Sequence, residues 1–415
     1  MPASGRLDPD GAQQTIEYCY QQDWSDGLPL VPVSQPLLDR FLAQVSRGPQ
    51  EIIGALEQVG RQCTVQLAAI NAAMAGCRPE FFPVVLAAFE ALMLEREARG
   101  GGWQSDSGPA PLIVVNGPVR GELGFNSTGG AFGPGFRANA TVARSVGLIV
   151  RNVLGIKPHV LDRATQGVPG RWSICVAENE EESPWEPLSA GAGLPEGASA
   201  VSATLLRSCE FVDNRHAQDA EQLLWDFAGT ISRTGALVFR HASCGVVFCP
   251  EHAQLLAAAG LSKADVQDWL IEHCGPSAAE LRRVGKDGVS RTSVRCPAGA
   301  ASPDPGGVSR ILPSRGHVPV LVAGARNAGI SMVVRVFGLW SGRAVAVETR
   351  AEPAAAPPAP WMRLLWREIV TRPSGPSGPP GRRAGDLGAG LADGQAQRAE
   401  AGEHAGHLAG QAGTR

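Results

Sequence analysis

Two cysteines mark the stretch with the clearest potential for chemistry. Cys63 and Cys77 each stand at the start of an apolar helical pattern, in the run CTVQLAAINAAMAGC that continues as RPEFFPVVLAAFEALMLERE. A thiol at a helix N-terminus faces unpaired backbone N–H groups and the positive end of the helix dipole, and both favour the thiolate. We therefore expect a nucleophilic thiol with a lowered pKa at Cys77, where Arg78 adds a positive charge. The alternative is a small buried residue that packs a tight turn between helices.

A second thiol precedes another helical pattern. Cys249 ends the strand-like run GVVFC, and Pro250-Glu251-His252 follows it directly. His252 could serve this thiol as a base or share a metal ion with it. A single histidine in a helix is more often a surface residue or a satisfied core group. Because the cysteines do not follow the C-x₂-C spacing of zinc sites, no residue is assigned to a metal.

A glycine-rich stretch follows a predicted buried strand. The apolar run PLIVVNGP (111–118) leads into GELGFNSTGGAFGPGFRANA. Ligands of α/β proteins bind at the carboxyl ends of strands, and the helix N-terminus after such a loop favours anions. We predict that a small polar or anionic substrate binds here to Asn116, Arg120, Asn126 and Arg137. The glycine spacing matches neither a dinucleotide fingerprint nor a P-loop, so the cofactor is unknown. The alternative is a long structural loop.

Two carboxylates follow the next strand-like run, RWSICVAE (171–178). Glu178 and Glu180 stand where that run gives way to an acidic loop, and carboxylates in such a position can transfer protons. We predict this role for both residues. A solvated acidic loop is the alternative.

The elements that must position these residues alternate between strand and helix. Apolar periodicity predicts helices over 35–46, 49–57, 64–75, 79–97, 138–153, 217–232 and 250–260, and strands over 111–118, 171–178, 199–212, 236–242, 245–249 and 317–325. Ser262 and Asp265 form a variant of the capping box and predict one more helix. The predicted fold class is α/β, with a helical N-terminal part and two strand–loop–helix units.

Composition and pattern together divide the chain of 415 residues. We predict a disordered start (1–12), a helical region (13–100), an α/β unit with the glycine-rich loop (101–198) and a second α/β unit (199–350). Residues 351–415 have the composition of a Pro/Gly/Ala-rich linker and a disordered tail.

Charge and cysteine content exclude several classes of protein. The net charge is -3 and aromatic residues make up 6% of the chain, which does not favour a nucleic-acid partner. No apolar run is long enough to cross a membrane, and the N-terminus lacks the apolar core of a secretory signal. The nine cysteines are spread along the chain and odd in number, which indicates a reducing compartment. We expect a cytoplasmic protein that acts on a small molecule, and a homo-oligomer is compatible with this.

Several stretches carry a resemblance to a known family. They are Asp26-Gly27-Leu28-Pro29, TVQLAAINAAMAGCRPEFFPVVLAAFEA, NGPVRGELGFNSTGGAFGPGFRANATVARS, ATQGVPG, AENEEESPWEPL and CPEHAQLLAAAGLSKADV. Together they resemble an uncharacterised bacterial family associated with the UGSC-motif (seleno)proteins, across roughly residues 20–350. The resemblance implies a redox or lyase activity of the cysteine or selenocysteine type on a small molecule. In family terms Cys77 looks like the expected cysteine.

Three functions remain open at this stage. The leading one is a cysteine-dependent enzyme, an oxidoreductase or lyase, with Cys77 as thiolate and Glu178 and Glu180 as proton-transfer groups. The second is a metal-dependent lyase or hydrolase that uses Cys77, Glu178 and His252. The third is a non-catalytic accessory protein of a biosynthetic or redox complex.

Overall fold

The computed structural model describes residues 9–237, 243–286 and 308–348. These residues all belong to one compact unit, Met1–Pro358, whereas the second unit, Ala359–Arg415, lies outside them. The predictions for residues 1–8, for part of the strand-like run 236–242 and for the tail from residue 349 also fall outside the described residues. Residues 9–12, predicted to be disordered, lie in the first helix.

The N-terminal region contains five helices and a β-hairpin. The elements are α1 (Pro9–Gln21), α2 (Gln35–Leu42), β1 (Ile52–Leu56), β2 (Arg61–Thr64), α3 (Val65–Met74), α4 (Phe82–Leu94) and α5 (Arg96–Arg99). The helix predicted over 49–57 is wrong, because β1 pairs antiparallel with β2. A Cβ added at Gly54 would lie 2.5 Å from the Met93 Cγ and 2.8 Å from the Phe89 Cε1 of α4. The strand therefore lies close against α4 at a position that only glycine allows.

A single mixed sheet organises the rest of the chain. Its strands are β3 (Ala110–Asn116), β4 (Cys175–Ala177), β5 (Ala200–Asp213), β6 (Cys244–Phe248), β7 (Val320–Val322), β8 (Ile330–Val336) and β9 (Val345–Ala346). The strand order is β4-β3-β5-β8-β6-β7, and β9 pairs with the start of β5. The α/β fold class is confirmed. Because β5 pairs with both β3 and β8, the two predicted α/β units share one sheet.

The sheet consists of two similar halves. In the first, β3 runs parallel to β4 and antiparallel to β5. In the second, β6 runs parallel to β7 and antiparallel to β8. The strand order therefore follows the same pattern from either edge. The backbone N–H of Asn179, just after β4, donates to Val322 O at the end of β7 over 2.7 Å. This bond joins the two edge strands and curves the sheet into a half-barrel.

Helices connect the parallel strands in each half. The first crossover contains α6 (Val119–Leu123), α7 (Arg137–Leu148) and a π-helical turn (Ile149–Val153); after β4 comes α8 (Leu188–Gly191). Helix α9 (Ala220–Ile231) precedes β6, and the second crossover contains α10 (Pro250–Ala258), α11 (Lys263–His273) and α12 (Ala278–Arg283). The predicted helix 138–153 corresponds to α7 and its π turn, and the capping box that starts α11 is present. None of the described helices has the length and apolarity needed to cross a membrane.

Buried clusters lie on both faces of the sheet. Side chains from both halves meet in one buried cluster that includes Leu112, Val176, Val247 and Leu321. The other cluster packs α9, α10 and α11 against the second half of the sheet. Strands β3 and β4 are parallel neighbours, and so are β6 and β7, so the carboxyl ends of each pair lie together. The hydrogen bond between the end of β4 and the end of β7 therefore brings all four carboxyl ends to one region.

Candidate functional site

A cavity of about 430 Å³ lies where the ends of β4 and β7 meet. We call it the junction cavity. Three short segments line it, one from the glycine-rich loop and one after each of the two strands: Ser127, Thr128, Gly129, Asn179, Glu181, Glu182, Gly324, Ala325 and Arg326. Six of the nine lining residues have polar or charged side chains, and these include both acidic and basic groups. The cavity can therefore bind a small molecule through hydrogen bonds and ion pairs.

The first lining segment is shaped by Asn126. Its Oδ1 accepts hydrogen bonds from the backbone N–H and the hydroxyl of Thr128, each at 3.1 Å, and its Nδ2 donates to Gly129 O at 3.0 Å. Asn139 anchors the turn that starts at Asn126. Its Oδ1 accepts a hydrogen bond from the Asn126 N–H, and its Nδ2 donates one to Cys175 O. The side chain of Asn126 is thus engaged in building the loop. Asn139 thus connects this turn to β4, and the N-cap of α7 is Phe136.

The second segment is fixed by an ion network around Arg120. The guanidinium donates to Gly117 O and Glu178 O, contacts Glu180 at 3.0 Å, and pairs with both oxygens of Glu181 at 2.9 and 3.0 Å. Its side chain is buried, and these partners occupy all of its nitrogens. Arg120 therefore orients the acidic loop beside the cavity, and its predicted contact with substrate would require this network to open.

Glu178 is fully buried, with 0% of its surface exposed. Its Oε2 accepts hydrogen bonds from Asn116 Nδ2 at 2.6 Å and from the Leu188 N–H at 2.8 Å. Burial raises its pKa, against the opposing charge of Lys263. Its Oε1 and the Oδ1 of Asn116 are buried without a hydrogen-bond partner among the described residues.

This pattern of bonds indicates where a proton on Glu178 would reside. Oε2 already accepts two hydrogen bonds, so the proton belongs on Oε1. A protonated Oε1 is a donor, and the unpartnered acceptor Asn116 Oδ1 belongs to the same amide that donates to Oε2. The second hydrogen of Asn116 Nδ2 is used by Glu180 at 3.0 Å. Asn116, Glu178 and Glu180, which the sequence places in one predicted site, are thus in direct contact.

Cys77 has surroundings that differ from the prediction. Its thiol is 6% exposed and lies 3.1 Å from Ser145 Oγ. Burial raises its pKa to about 11, and the expected lowering is therefore wrong. The physical reason is local: Cys77 follows the C-terminal end of α3, and Pro79–Phe81 forms a 3₁₀ turn before α4 starts at Phe82. The dipole of a long helix does not begin at this sulfur, and the residues that line the junction cavity include no cysteine.

Two arginines of α7 hold the segments around Cys77. Arg137 donates twice to Gly76 O, at 2.9 and 3.1 Å, and thus contacts the turn before Cys77 instead of lining the cavity. Arg144 pairs with both oxygens of Asp26 and donates to Leu28 O. The Asp26-Gly27-Leu28-Pro29 motif therefore serves as a docking point for α7.

The rim of the cavity carries an exposed ion pair. Arg326 contacts Glu182, and its other terminal nitrogen donates to Gln254 Oε1 at 2.9 Å. The side chains of Arg326 and Glu182 are 47% and 41% exposed. Exposed pairs of this kind contribute at most about 1 kcal/mol, so a ligand can displace them at little cost. Ser127, Thr128 and Arg326 were not predicted, because no local motif links segments about two hundred positions apart.

Cys249 and His252 share a buried contact through Ser331. The Ser331 Oγ lies 2.7 Å from His252 Nδ1 and 3.5 Å from Cys249 Sγ, and it accepts the Cys249 N–H at 2.9 Å. Burial raises the pKa of Cys249 and lowers that of His252. The spacing of Cys249 and His252 indicated this pair, whereas Ser331 comes from a distant strand. Within the described ranges, no group of three or more His, Cys, Asp or Glu side chains could hold a metal ion.

Comparison with known proteins adds no relative. No family model, curated protein or solved structure matches this chain. The resemblance to the UGSC-associated family therefore stays a hypothesis, and function has to be argued from the geometry.

Proposed function

We propose that this chain is an enzyme that acts on a small polar or anionic molecule bound in the junction cavity. The observation that supports it best is the position of a cavity with charged lining residues at the carboxyl ends of β4 and β7, one residue along the chain from a buried carboxyl group. Ligand sites of α/β proteins favour such strand ends. A buried carboxyl with a perturbed pKa next to a cavity is a candidate proton-transfer group.

The chemistry of the lining favours particular ligand groups. Arg326 can bind a carboxylate or phosphate, and the hydroxyls of Ser127 and Thr128 can donate further hydrogen bonds to it. Glu182 can accept hydrogen bonds from a hydroxyl or amino group of the same molecule. Since both charged side chains are exposed and paired with each other, a ligand with both kinds of group would replace their contact.

Proton transfer is the reaction type with the most support. Glu178 adjoins the lining residue Asn179 in the chain, and its raised pKa extends to higher pH the range in which it can hold a proton. Among the two activities that the sequence suggested, this favours a lyase, because eliminations and additions need an acid or base near the substrate. A thiol-dependent oxidoreductase would require Cys77 to reach the cavity, and its burial opposes this.

The test is a binding screen with paired variants. We would follow the melting temperature with acetate, inorganic phosphate, glycine and methylammonium, first for the natural protein and then for Arg326→Gln. Arg315→Gln is the matched control, because Arg315 also forms an exposed ion pair, with Asp268, in a different part of the chain. We expect an anionic or zwitterionic probe to raise the melting temperature of the natural protein and of the Arg315→Gln control but not of Arg326→Gln. A shift that survives Arg326→Gln would place binding elsewhere and refute the proposal.

A further inference from the structure

Two thiols of the described chain lie against a serine hydroxyl, and they differ in what that serine contacts next. Cys77 Sγ is 3.1 Å from Ser145 Oγ, and Cys249 Sγ is 3.5 Å from Ser331 Oγ. Both cysteines are buried, with 6% and 2% of their surface exposed. The two thiols thus share a serine partner and differ in the group that this serine contacts next.

The arrangement at Cys77 cannot remove a proton from the sulfur. The Ser145 hydroxyl donates to Thr141 O at 2.6 Å. A backbone carbonyl accepts a hydrogen bond, but it is far too weak a base to take the proton. A proton that left Cys77 for Ser145 would have no further acceptor.

The arrangement at Cys249 ends on a base. His252 Nε2 lies 2.8 Å from Asn214 O, and because a carbonyl can only accept, Nε2 carries a hydrogen. The neutral ring then has its lone pair on Nδ1, which is 2.7 Å from Ser331 Oγ. The Ser331 hydroxyl can therefore donate to Nδ1, and in its contact with Cys249 the hydroxyl is the donor and Sγ the acceptor.

We propose that Cys249, Ser331 and His252 form a nucleophilic thiol site, in which the thiol proton passes through the Ser331 hydroxyl to His252 Nδ1. Before transfer the Ser331 hydroxyl donates to Nδ1, and the thiol has to turn its hydrogen towards Oγ. After transfer they point from Nδ1 to Oγ and from Oγ to Sγ. The sulfur then carries the negative charge and the imidazole the positive charge, and no atom has to move far.

The surroundings of Cys249 act on the charge of its sulfur in both directions. Burial, the largest effect, raises the pKa of the thiol. Cys249 is also the N-cap of α10, a helix of nine residues, and the backbone N–H of His252 lowers that pKa. The helix dipole and this N–H both favour a thiolate. Glu251 acts in the opposite direction, since its carboxylate raises the pKa of the thiol and lies near His252 as well. Asp213 and Asp226 also face the imidazole and favour its protonated form.

The turn that follows β7 lies against this site. Gly329 packs directly on His252, since a Cβ there would lie 2.7 Å from Nε2. This turn, 324–329, covers the start of α10 and is held by the contact of Arg326 with Gln254. In the reaction the sulfur forms a bond to carbon, the bond from that carbon to its leaving group breaks, and the thiol proton stays on His252 until water takes it. This site is separate from the junction cavity and does not depend on the function proposed for it.

The test measures alkylation of each cysteine by iodoacetamide. Labelled peptides from the natural protein, sampled over time by mass spectrometry, give one rate constant per cysteine, and iodide is the leaving group. We expect Cys249 to react on the order of 100-fold faster than Cys77, which is the effect of a positioned base. Ser331→Ala and His252→Gln should lower the Cys249 rate to that of Cys77, and Ser331→Thr, which keeps the hydroxyl, should retain it.

An internal control reports on folding. Cys63 is fully buried, so its labelling would reveal any variant that has opened, and such a variant would be excluded. The comparison of Cys249 with Cys77 in the natural protein needs no variant. Equal rates for these two cysteines, or a fast Cys249 that Ser331→Ala and His252→Gln leave unchanged in folded protein, would overturn the proposal.

Discussion

The carboxyl group of Glu178 should be protonated in the folded protein at neutral pH, and two substitutions test this. Glu178→Gln keeps an oxygen for Asn116 Nδ2 and the Leu188 N–H and places an NH₂ opposite Asn116 Oδ1. Glu178→Ala removes the acceptor for both donors. An unsatisfied buried donor costs about 1–3 kcal/mol, so Glu178→Ala should lower the free energy of unfolding by about 2–6 kcal/mol. Glu178→Gln should cost far less.

The pH dependence gives the sharper measurement. The folded pKa of Glu178 is raised by burial, so the folded state binds a proton that the unfolded state releases above about pH 4.3. The stability contributed by Glu178 is therefore complete below the unfolded pKa and is lost as pH rises towards the folded pKa. Glu178→Gln cannot lose a proton. The free energy of unfolding of Glu178→Gln, relative to that of the natural protein, should therefore rise with pH. The expected slope is about 1.4 kcal/mol per pH unit between the unfolded and the folded pKa of Glu178.

This difference in stability can be measured by urea unfolding, followed by tryptophan fluorescence, between about pH 5 and pH 9. About one measurement per pH unit is enough to follow the slope expected from linkage. Glu122→Gln is the control, because it removes the same charge from an exposed position. Every other titrating group is shared by the natural protein and the two glutamine variants and cancels in the comparison. If the profiles of the natural protein and Glu178→Gln run parallel, Glu178 is ionised when buried, and the proton-donor role assigned to it fails.

Two further predictions concern the fold. Gly54→Ala should lower the free energy of unfolding in urea by about 1–3 kcal/mol, because the added Cβ would overlap Met93 and Phe89. Gly48→Ala is the control, because a Cβ at Gly48 would meet no other atom. Equal losses of stability in the two variants would contradict the close packing at Gly54. Ser262→Ala should cost about 1 kcal/mol in the same assay, since it removes the acceptor of the Asp265 N–H at the start of α11. No change there would mean that this helix end is frayed in solution.

The sequence predicts those parts of the fold that local pattern decides. The run that forms β3 is apolar up to its last residue, Asn116, and all its residues are buried in the sheet. Ser262 and Asp265 predict the start of α11 because a capping box needs only four neighbouring residues. The predicted helix over 49–57 is wrong because the strand at 52–56 depends on the packing of Gly54 against α4. A contact between residues about forty positions apart gives no periodic pattern in the sequence.

The candidate site divides in the same way. Asn116, Glu178 and Glu180 were predicted at the ends of neighbouring strands, and parallel pairing of β3 with β4 brings them together. The sequence predicts a lowered pKa for Cys77 because a helix N-terminus favours a thiolate, but this effect dominates only where the helix start is accessible to solvent. The desolvation of Cys77, which outweighs the charge of Arg137, depends on how α3 and α7 pack, and the sequence does not reveal that.

Comparison of the two halves of the sheet shows which residues correspond to Glu178 and to Cys249. The Glu178 N–H donates to Val115 O at 3.1 Å, and the Ala323 N–H donates to Phe248 O at 2.9 Å, so these are the same bond in the two halves. Glu178 therefore corresponds to Ala323, and Asn116, which follows Val115, corresponds to Cys249. The first half carries an amide and a carboxyl at these two positions, whereas the second carries a thiol and a methyl group. Because Ala323 supplies no carboxyl at this position, the titratable groups that act on the Cys249 thiol come from α10: Glu251, and His252 through Ser331.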